Sequence, residues 1–289
     1  MADLIDLSGE FERLQQMIDN LENAVNKNIA REYANALEDL REIVRKKYDN
    51  YAQAGDLTYE IMSKYGRIDN LDKEVAEAAR KLHVEASKIT RKAMRDTYRQ
   101  SFRETTSVVG EAAQRTIRGK VKRDVVQQAV QNPVSGLTLN DRLRRNRRLI
   151  ISQIQETIGQ GLVSGDSYSQ MSSRLKEFLE DDIVKAHRIV RTETHRVMEK
   201  AKFDGLEHAS NQGVELKKYW VDSDDERVRS THEMMGEKYS RDSAIPLDED
   251  FVNDKTGGEG PHPGALGTAE DDINDRCIMV TVVVVEEAA

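Results

Sequence analysis

Apolar residues recur near the start of the chain at Leu4, Leu7, Phe11, Leu14, Ile18, Leu21 and Val25, in steps of three and four. That spacing places them on one stripe of an α-helix, a seam that needs a partner helix. The phase shifts near Ile29 and the pattern resumes through Tyr33, Leu37, Leu40 and Val44, which predicts one long helix with a stutter to about Tyr51. The segment AGDLT at 54–58 reads as a turn. A second seam runs through Val75, Ala79, Leu82, Ala86, Ile89 and Ala93. Its alanines allow close approach, so the simplest arrangement is a helical hairpin.

The pattern changes after NPVSGLTLNDRLRRNRR at 132–148, where proline, glycine and five arginines read as a basic linker. Beyond it the periodicity predicts a helix over 149–161, a Ser-capped helix to about Glu180, and another over 183–212 that stops at Gly213. VELKKYWV at 214–221 and CIMVTVVVV at 277–285 are strand-like. Two strands so far apart must share one sheet or leave edges exposed. The fold class expected is therefore α+β, mainly α. Long helices over 1–131 form a hairpin or coiled-coil-like bundle, 132–148 is the basic linker, 149–213 is helical, and 214–289 is a small α+β domain. That last domain contains a Pro/Gly-rich loop, KTGGEGPHPGALG.

Composition narrows this further. The 289 residues are 33% charged and 5% aromatic with only four prolines, which favours long helices over a β protein. Cys277 is the sole cysteine, so no intramolecular disulfide and no multi-cysteine metal cluster can form. No segment reaches the roughly twenty apolar residues needed to span a bilayer, and the N-terminus lacks a basic region leading into an apolar run. A soluble protein made in a reducing cytosol is expected. The net charge of −8 conceals an asymmetry: residues 80–148 hold 18 Lys and Arg against 6 Asp and Glu, whereas 220–289 hold 6 against 18. The basic middle could meet nucleic acid, an acidic protein or this chain's own tail. Within it Lys88, Lys92, Arg95, Arg99 and Arg103 form one helical stripe, and Arg144, Arg145, Arg147 and Arg148 crowd the linker. Such cations serve either as a solvated face or as phosphate-backbone contacts that need no base-reading residue. No stacking aromatics are interleaved, so single-strand recognition gains little support.

WVDSDDERVRSTHEMMGEKY, starting at Trp220, nearly fits two metal motifs. His232 and Glu233 begin the zinc-protease sequence H-E-x-x-H, but Gly236 stands where the second histidine belongs. Asp222, Asp224, Glu226 and Glu233 match calcium-loop positions, yet Arg227 fills the position where the sharp turn wants glycine. Neither metal is expected here.

RTETHRVMEKA from Arg191, KKYWV, DERVRSTHEMMG, a Pro/Gly loop and INDRC before a terminal strand occur in this order, and as a set they resemble the phage Mu F-like head morphogenesis proteins, the minor head or minor capsid proteins of tailed bacteriophages. The resemblance spans roughly 139–285; the helical first half matches only in kind. It carries the family motif onto Arg191, Thr192, Glu193, Trp220, Arg229, His232 and Cys277. The family often shows C-R-C before its final strand; here Asp275 replaces the first cysteine, which argues against a thiol-pair or zinc role. What the resemblance implies is a structural virion component acting in head morphogenesis, in few copies at the head interior or portal vertex. The implied partners are the portal protein, a major capsid or scaffolding protein, and double-stranded DNA without sequence specificity during packaging or ejection. No membrane and no cofactor is implied.

Each motif residue also has a plain structural reading. Arg191 and Glu193 lie two apart on a helix and do not share a face, so ion pairing elsewhere is favoured over catalysis, for Arg191 with the acids at 222–226. His195 and Glu199 share a face and could form half a metal site, but no further ligand is evident, and a satisfied surface pair is favoured. Trp220 reads as a core anchor. Arg227, Arg229 and His232 are the best enzymatic candidates, as a histidine base with arginines holding phosphate in a metal-independent nuclease, since domains of this kind have been related to small nuclease toxins. The excess of acids around them opposes RNA binding. The alternatives to a head protein are thus such a nuclease, or a DNA-binding helical protein outside any virion, for which no helix-turn-helix pattern is present.

Overall fold

The computed structural model describes residues 3–53, 56–133, 136–223 and 225–285. Its helices are α1 (Ser8–Tyr51), α2 (Tyr59–Ser63), α3 (Arg67–Ala112), α4 (Arg123–Gln131), α5 (Leu139–Ser164), α6 (Tyr168–Ser210), α7 (Ser230–Lys238) and α8 (Ala269–Asp272). The strands are β1 (Asp3–Asp6), β2 (Glu215–Val221), β3 (Ile245–Pro246), β4 (Phe251–Asn253), β5 (Gly258–Gly260) and β6 (Ile278–Val285). The fold is α+β and mainly α, as the pattern implies. Two compact units arise, neither continuous in sequence: residues 1–23, 91–139 and 190–289 form one, and 24–90 with 140–189 form the other. None of the described helices is long and apolar enough to cross a membrane.

The second unit is wholly helical. Ile29, Tyr33, Ala36, Leu40, Val44 and Tyr48 of α1 are buried, as are Leu71, Val75, Ala78, Ala79 and Leu82 of α3. Lys47 Nζ lies 2.6 Å from Glu74 and Lys81 Nζ 3.8 Å from Asp39, so the two helices run antiparallel here as a hairpin. Their seams drift from the sequence pattern. Ala36 takes the inward place expected of Leu37, and Ser87 and Thr90 point inward where Ala86 and Ile89 were expected. Thr90 satisfies its hydroxyl on the Ala86 carbonyl at 2.8 Å, which lets a polar residue sit inside. The turn expected at 54–58 lies partly on Ala54 and Gly55, outside the described residues; beyond it the short α2 buries Met62.

Helix α5 begins at Leu139, so Arg144, Arg145, Arg147 and Arg148 lie on a helix and not in a linker. Once past Pro133 and Gly136 nothing in the sequence breaks it. It ends at Gly165, φ +70°, with the Asp166 N–H bonded to the Gly161 carbonyl at 2.9 Å. A reciprocal cap then starts α6: the Gln170 side chain accepts from the Ser167 N–H at 2.8 Å, and the Ser167 hydroxyl accepts from the Gln170 N–H at 3.4 Å. From there α6 runs unbroken to Ser210, straight through the acidic pair at 181 and 182 that reads as a break, because no glycine or proline stands between Tyr168 and Asp204. Tyr33 donates to Asp182 at 2.7 Å and Tyr48 to the Asp166 carbonyl, tying α1 to α6 within this unit.

The first unit carries the sheet, ordered β1-β6-β2-β3 and antiparallel throughout. The strands around Trp220 and Met279 do pair, with Trp220 opposite Met279 and Lys218 opposite Thr281. Leu4 belongs to this sheet and not to the helical seam: residues 3–6 are β1, with Leu4 opposite Val284 and Ile5 opposite Val283. Over four residues a helical and a strand period cannot be told apart, and the β-branched run of β6 decides the matter. Asp6 ends the strand by accepting the Ser8 N–H at 2.8 Å, after which α1 starts. Where the chain enters the Pro/Gly-rich loop, β4 and β5 form a hairpin turned at Gly257, φ +72°. Phe11, Leu14, Ile18, Met198, Leu206, Trp220, Phe251 and Met279 share the core.

Candidate functional site

The middle of α6 is buried on every face, although Thr192, Glu193, His195, Arg196, Glu199 and Lys202 are polar or charged. Burial of this kind is tolerated only when each group finds a partner. Arg196 donates to Glu193 at 3.0 and 3.1 Å and to the Ala129 carbonyl at 2.8 Å, closing the C-terminus of α4 with a cation. Lys202 Nζ sits 2.7 Å from Glu199 and 4.7 Å above the Phe11 ring. The other Glu199 oxygen accepts the Met279 N–H at 3.0 Å, fastening β6 to α6. Burial pushes the Lys202 ammonium below its ordinary pKa, with Glu199 opposing. The expected surface pair of His195 and Glu199 is thus not at the surface. His195 is 5% exposed and Glu199 0%.

His195 instead faces the segment before β6. Its Nε2 is 3.8 Å from Asp275 Oδ2. His232, on α7, approaches from another side: Nδ1 lies 3.2 Å from Asp275 Oδ1 and 3.2 Å from Cys277 Sγ, and Nε2 lies 3.5 Å from Asp271 Oδ1. Asp271 is itself clamped by Asn253 at 2.9 Å and by the Thr256 and Thr268 hydroxyls at 2.6 Å each. Burial works to raise the Asp275 carboxyl, but the two imidazoles outweigh it and hold it well below the usual carboxylate range. Burial and the adjacent Asp275 charge push the Cys277 thiol up. For His195, burial lowers the imidazole while Asp275 raises it by more, and the net direction is up.

The same knot gathers the rest of the motif. The Thr192 hydroxyl accepts the Asn274 N–H at 3.0 Å, Arg229 donates to the Ile273 carbonyl, and Trp220, 1% exposed, stands edge-on to His232 with ring centres 5.7 Å apart. Arg191 lies apart from it. Its Nε pairs with Glu22 at 3.2 Å and not with the acids after β2, because Arg276 has taken Asp225 in a two-pronged contact. Asp224, one of the acids expected in that turn, lies outside the described residues.

The three enzymatic candidates do not converge on an open pocket. Arg227 is exposed and pairs with Asp225 at 3.6 Å, Arg229 is committed to a backbone carbonyl, and His232 is 2% exposed. The phosphate-contact candidates differ among themselves. On α3, Lys88 pairs with Glu85, Lys92 and Arg99 with Asp96, and Arg103 with Glu104. On α5, Arg144 pairs with Asp141, whereas Arg145, Arg147 and Arg148 make no ion pair among the described residues, as is true of Arg95 on α3.

Residues 152–280 match the family described as Phage Mu protein F like protein. The matched stretch contains the whole knot, from Thr192 to Cys277. This match, together with the minor head relative below, supports reading the chain as a phage Mu F-like minor head protein. Among its relatives is the minor head protein GP7 of Bacillus phage SPP1, 29% identical over 273 residues, covering 94% of this chain and 86% of that one. Another is the NAD(+)–arginine ADP-ribosyltransferase EFV of Enterococcus faecalis, 30% identical over 163 residues, which is 56% of this chain but 32% of that protein. No solved structure matches. The sequence named most residues of the knot. It missed Asp271 and Asn253, and it discounted Asp275, because their roles depend on a loop whose path no periodicity reveals.

Proposed function

We propose that this phage head protein acts in head morphogenesis near the portal, without catalysis, and that the start of α5 faces packaged DNA. The relationship to a minor head protein over 94% of this chain carries the reading, since it takes in both compact units. A structural role also accords with the chemistry of the knot, in which His232 and Glu199 bind elements together and present nothing to solvent. Arg145 and Arg148 are exposed on α5 and lie near Arg144, giving closely spaced cations of the kind that hold a phosphate backbone without reading bases. Portal, major capsid or scaffolding proteins are the expected protein partners.

An enzymatic reading rests on the ADP-ribosyltransferase relative. About two thirds of that protein lies outside the match, so its transferase activity need not reside in the shared part. The deciding experiment sediments virions through a density gradient and probes for this chain, with purified portal as bait in parallel. Co-sedimentation with full heads and capture by portal are expected. A chain that stays free of heads and hydrolyses RNA or NAD would overturn the proposal.

A further inference from the structure

We propose that His232, Asp275, Cys277 and His195 form a closed site for one divalent transition-metal ion, zinc foremost, that staples α6, α7 and the start of β6. The donor atoms of His232, Asp275 and Cys277 all lie within 4.8 Å of one another, and all three residues are buried. His195 stands beside this group of three, its side chain 6% exposed and Nε2 aimed at Asp275 Oδ2, and would become the fourth donor by moving toward the ion. That nitrogen and that oxygen have no hydrogen-bond partner, and at 3.8 Å they are too far apart to bond each other. Two ligands of one tetrahedral zinc, each about 2.0–2.3 Å from it, stand about 3.3–3.6 Å apart. The separations of 3.2 Å from His232 Nδ1 to Asp275 Oδ1 and to Cys277 Sγ come close to that distance, so an ion could enter among these three with little movement, whereas His195 must shift to reach it.

Three further features fit. Thiolate and carboxylate with two neutral imidazoles bring two negative charges, which cancel a dication and remove the cost of burying net charge. One sulfur and two imidazoles select zinc over the oxygen-seeking magnesium and calcium. Behind His232, Nε2 faces Asp271, which is locked by Asn253, Thr256 and Thr268, the outer carboxylate that orients a metal-bound imidazole and fixes Nδ1 as the ligand. Asp275 thereby serves as a ligand in its own right, where the sequence alone counted it as a lost cysteine. With three buried ligands in place and His195 beside them to complete the set, the site is structural and leaves no position for substrate.

The test uses the full chain purified without chelator, by elemental analysis and by cobalt substitution. About one zinc per chain is expected to survive gel filtration, and the cobalt form should show a thiolate charge-transfer band in the near ultraviolet. Cys277→Ser should abolish the band, and Asp275→Asn should weaken retention of the ion. A strong chelator should lower the thermal midpoint of the wild-type chain, since metal affinity is folding free energy. That measurement needs no substitution, so a Cys277→Ser chain that fails to fold does not remove the test. Less than about a tenth of an ion per chain after reconstitution with zinc or cobalt would overturn the proposal. So would a bound ion that Cys277→Ser retains, or a midpoint indifferent to chelator.

Discussion

Glu199 shows how a single side chain can hold several elements at once. It neutralises Lys202 on its own helix and accepts a backbone N–H from β6, all without contact with water. Removing one partner of a buried ion pair leaves the other charged and uncompensated. Glu199→Ala should therefore cost about 3–5 kcal/mol of unfolding free energy in urea titrations, and Glu199→Ala combined with Lys202→Met should cost less than the single change. A double variant as unstable as the single one would show that the backbone bond to Met279 matters more than the charge. His262 gives a pH signature. Burial lowers its imidazole from 6.5 to about 3, and its Nδ1 bonds the Pro263 carbonyl at 2.8 Å. Between those values the unfolded chain takes up a proton that the folded chain refuses. The stability His262 contributes is thus complete above pH 6.5 and is lost as pH falls toward 3. Asp272 runs the other way. Burial raises it from 3.8 to about 6, so its protonated form suits the fold and stability declines as pH rises between those values. Because the two nearly offset between about pH 6 and 4 in the wild-type chain, urea midpoints should rise on acidification in His262→Gln and fall in Asp272→Asn.

At the scale of elements, β1 and β6 form the pairing on which the sheet's outer half depends. Pro at Ile5 would remove an N–H from a strand of four residues and expose the valine-rich flank of β6. Ile5→Pro should raise the rate of aggregation, read by light scattering on warming, more than it lowers the denaturant midpoint. The sequence showed that most of the chain is helical, and that β2 and β6 must pair, because both statements rest on repeated local signals. It could not assign Leu4 to a strand, since its position suits either period, nor see that α6 passes through Asp181 and Asp182. The knot was legible as a list of residues and not as a place. Spacing along α6 puts His195 beside Glu199, but only the turn at Asn274, with φ +57°, brings Asp275 to face it.

For the whole molecule, the electrostatic asymmetry in the sequence is partly cancelled in the fold. Acids on α3 occupy most of its cationic stripe, which leaves α5 the better surface for a polyanion. Arg145→Ala with Arg148→Ala should weaken binding to any double-stranded DNA and reduce the slope of log affinity against log salt by up to about 2, whereas Lys92→Ala with Arg103→Ala should change it less. Equal effects from both pairs would mean that the α3 ion pairs open when DNA arrives. The way β1 is placed also bears on synthesis. The sheet's first strand is made before the long helices, yet its hydrogen-bonding neighbour is β6, which follows them. Trp220's strand likewise waits for β6. A chain cut short by a nonsense codon or by proteolysis before residue 278 cannot close this sheet at all, whatever its helices do. The sheet thus forms only in chains that are translated through β6.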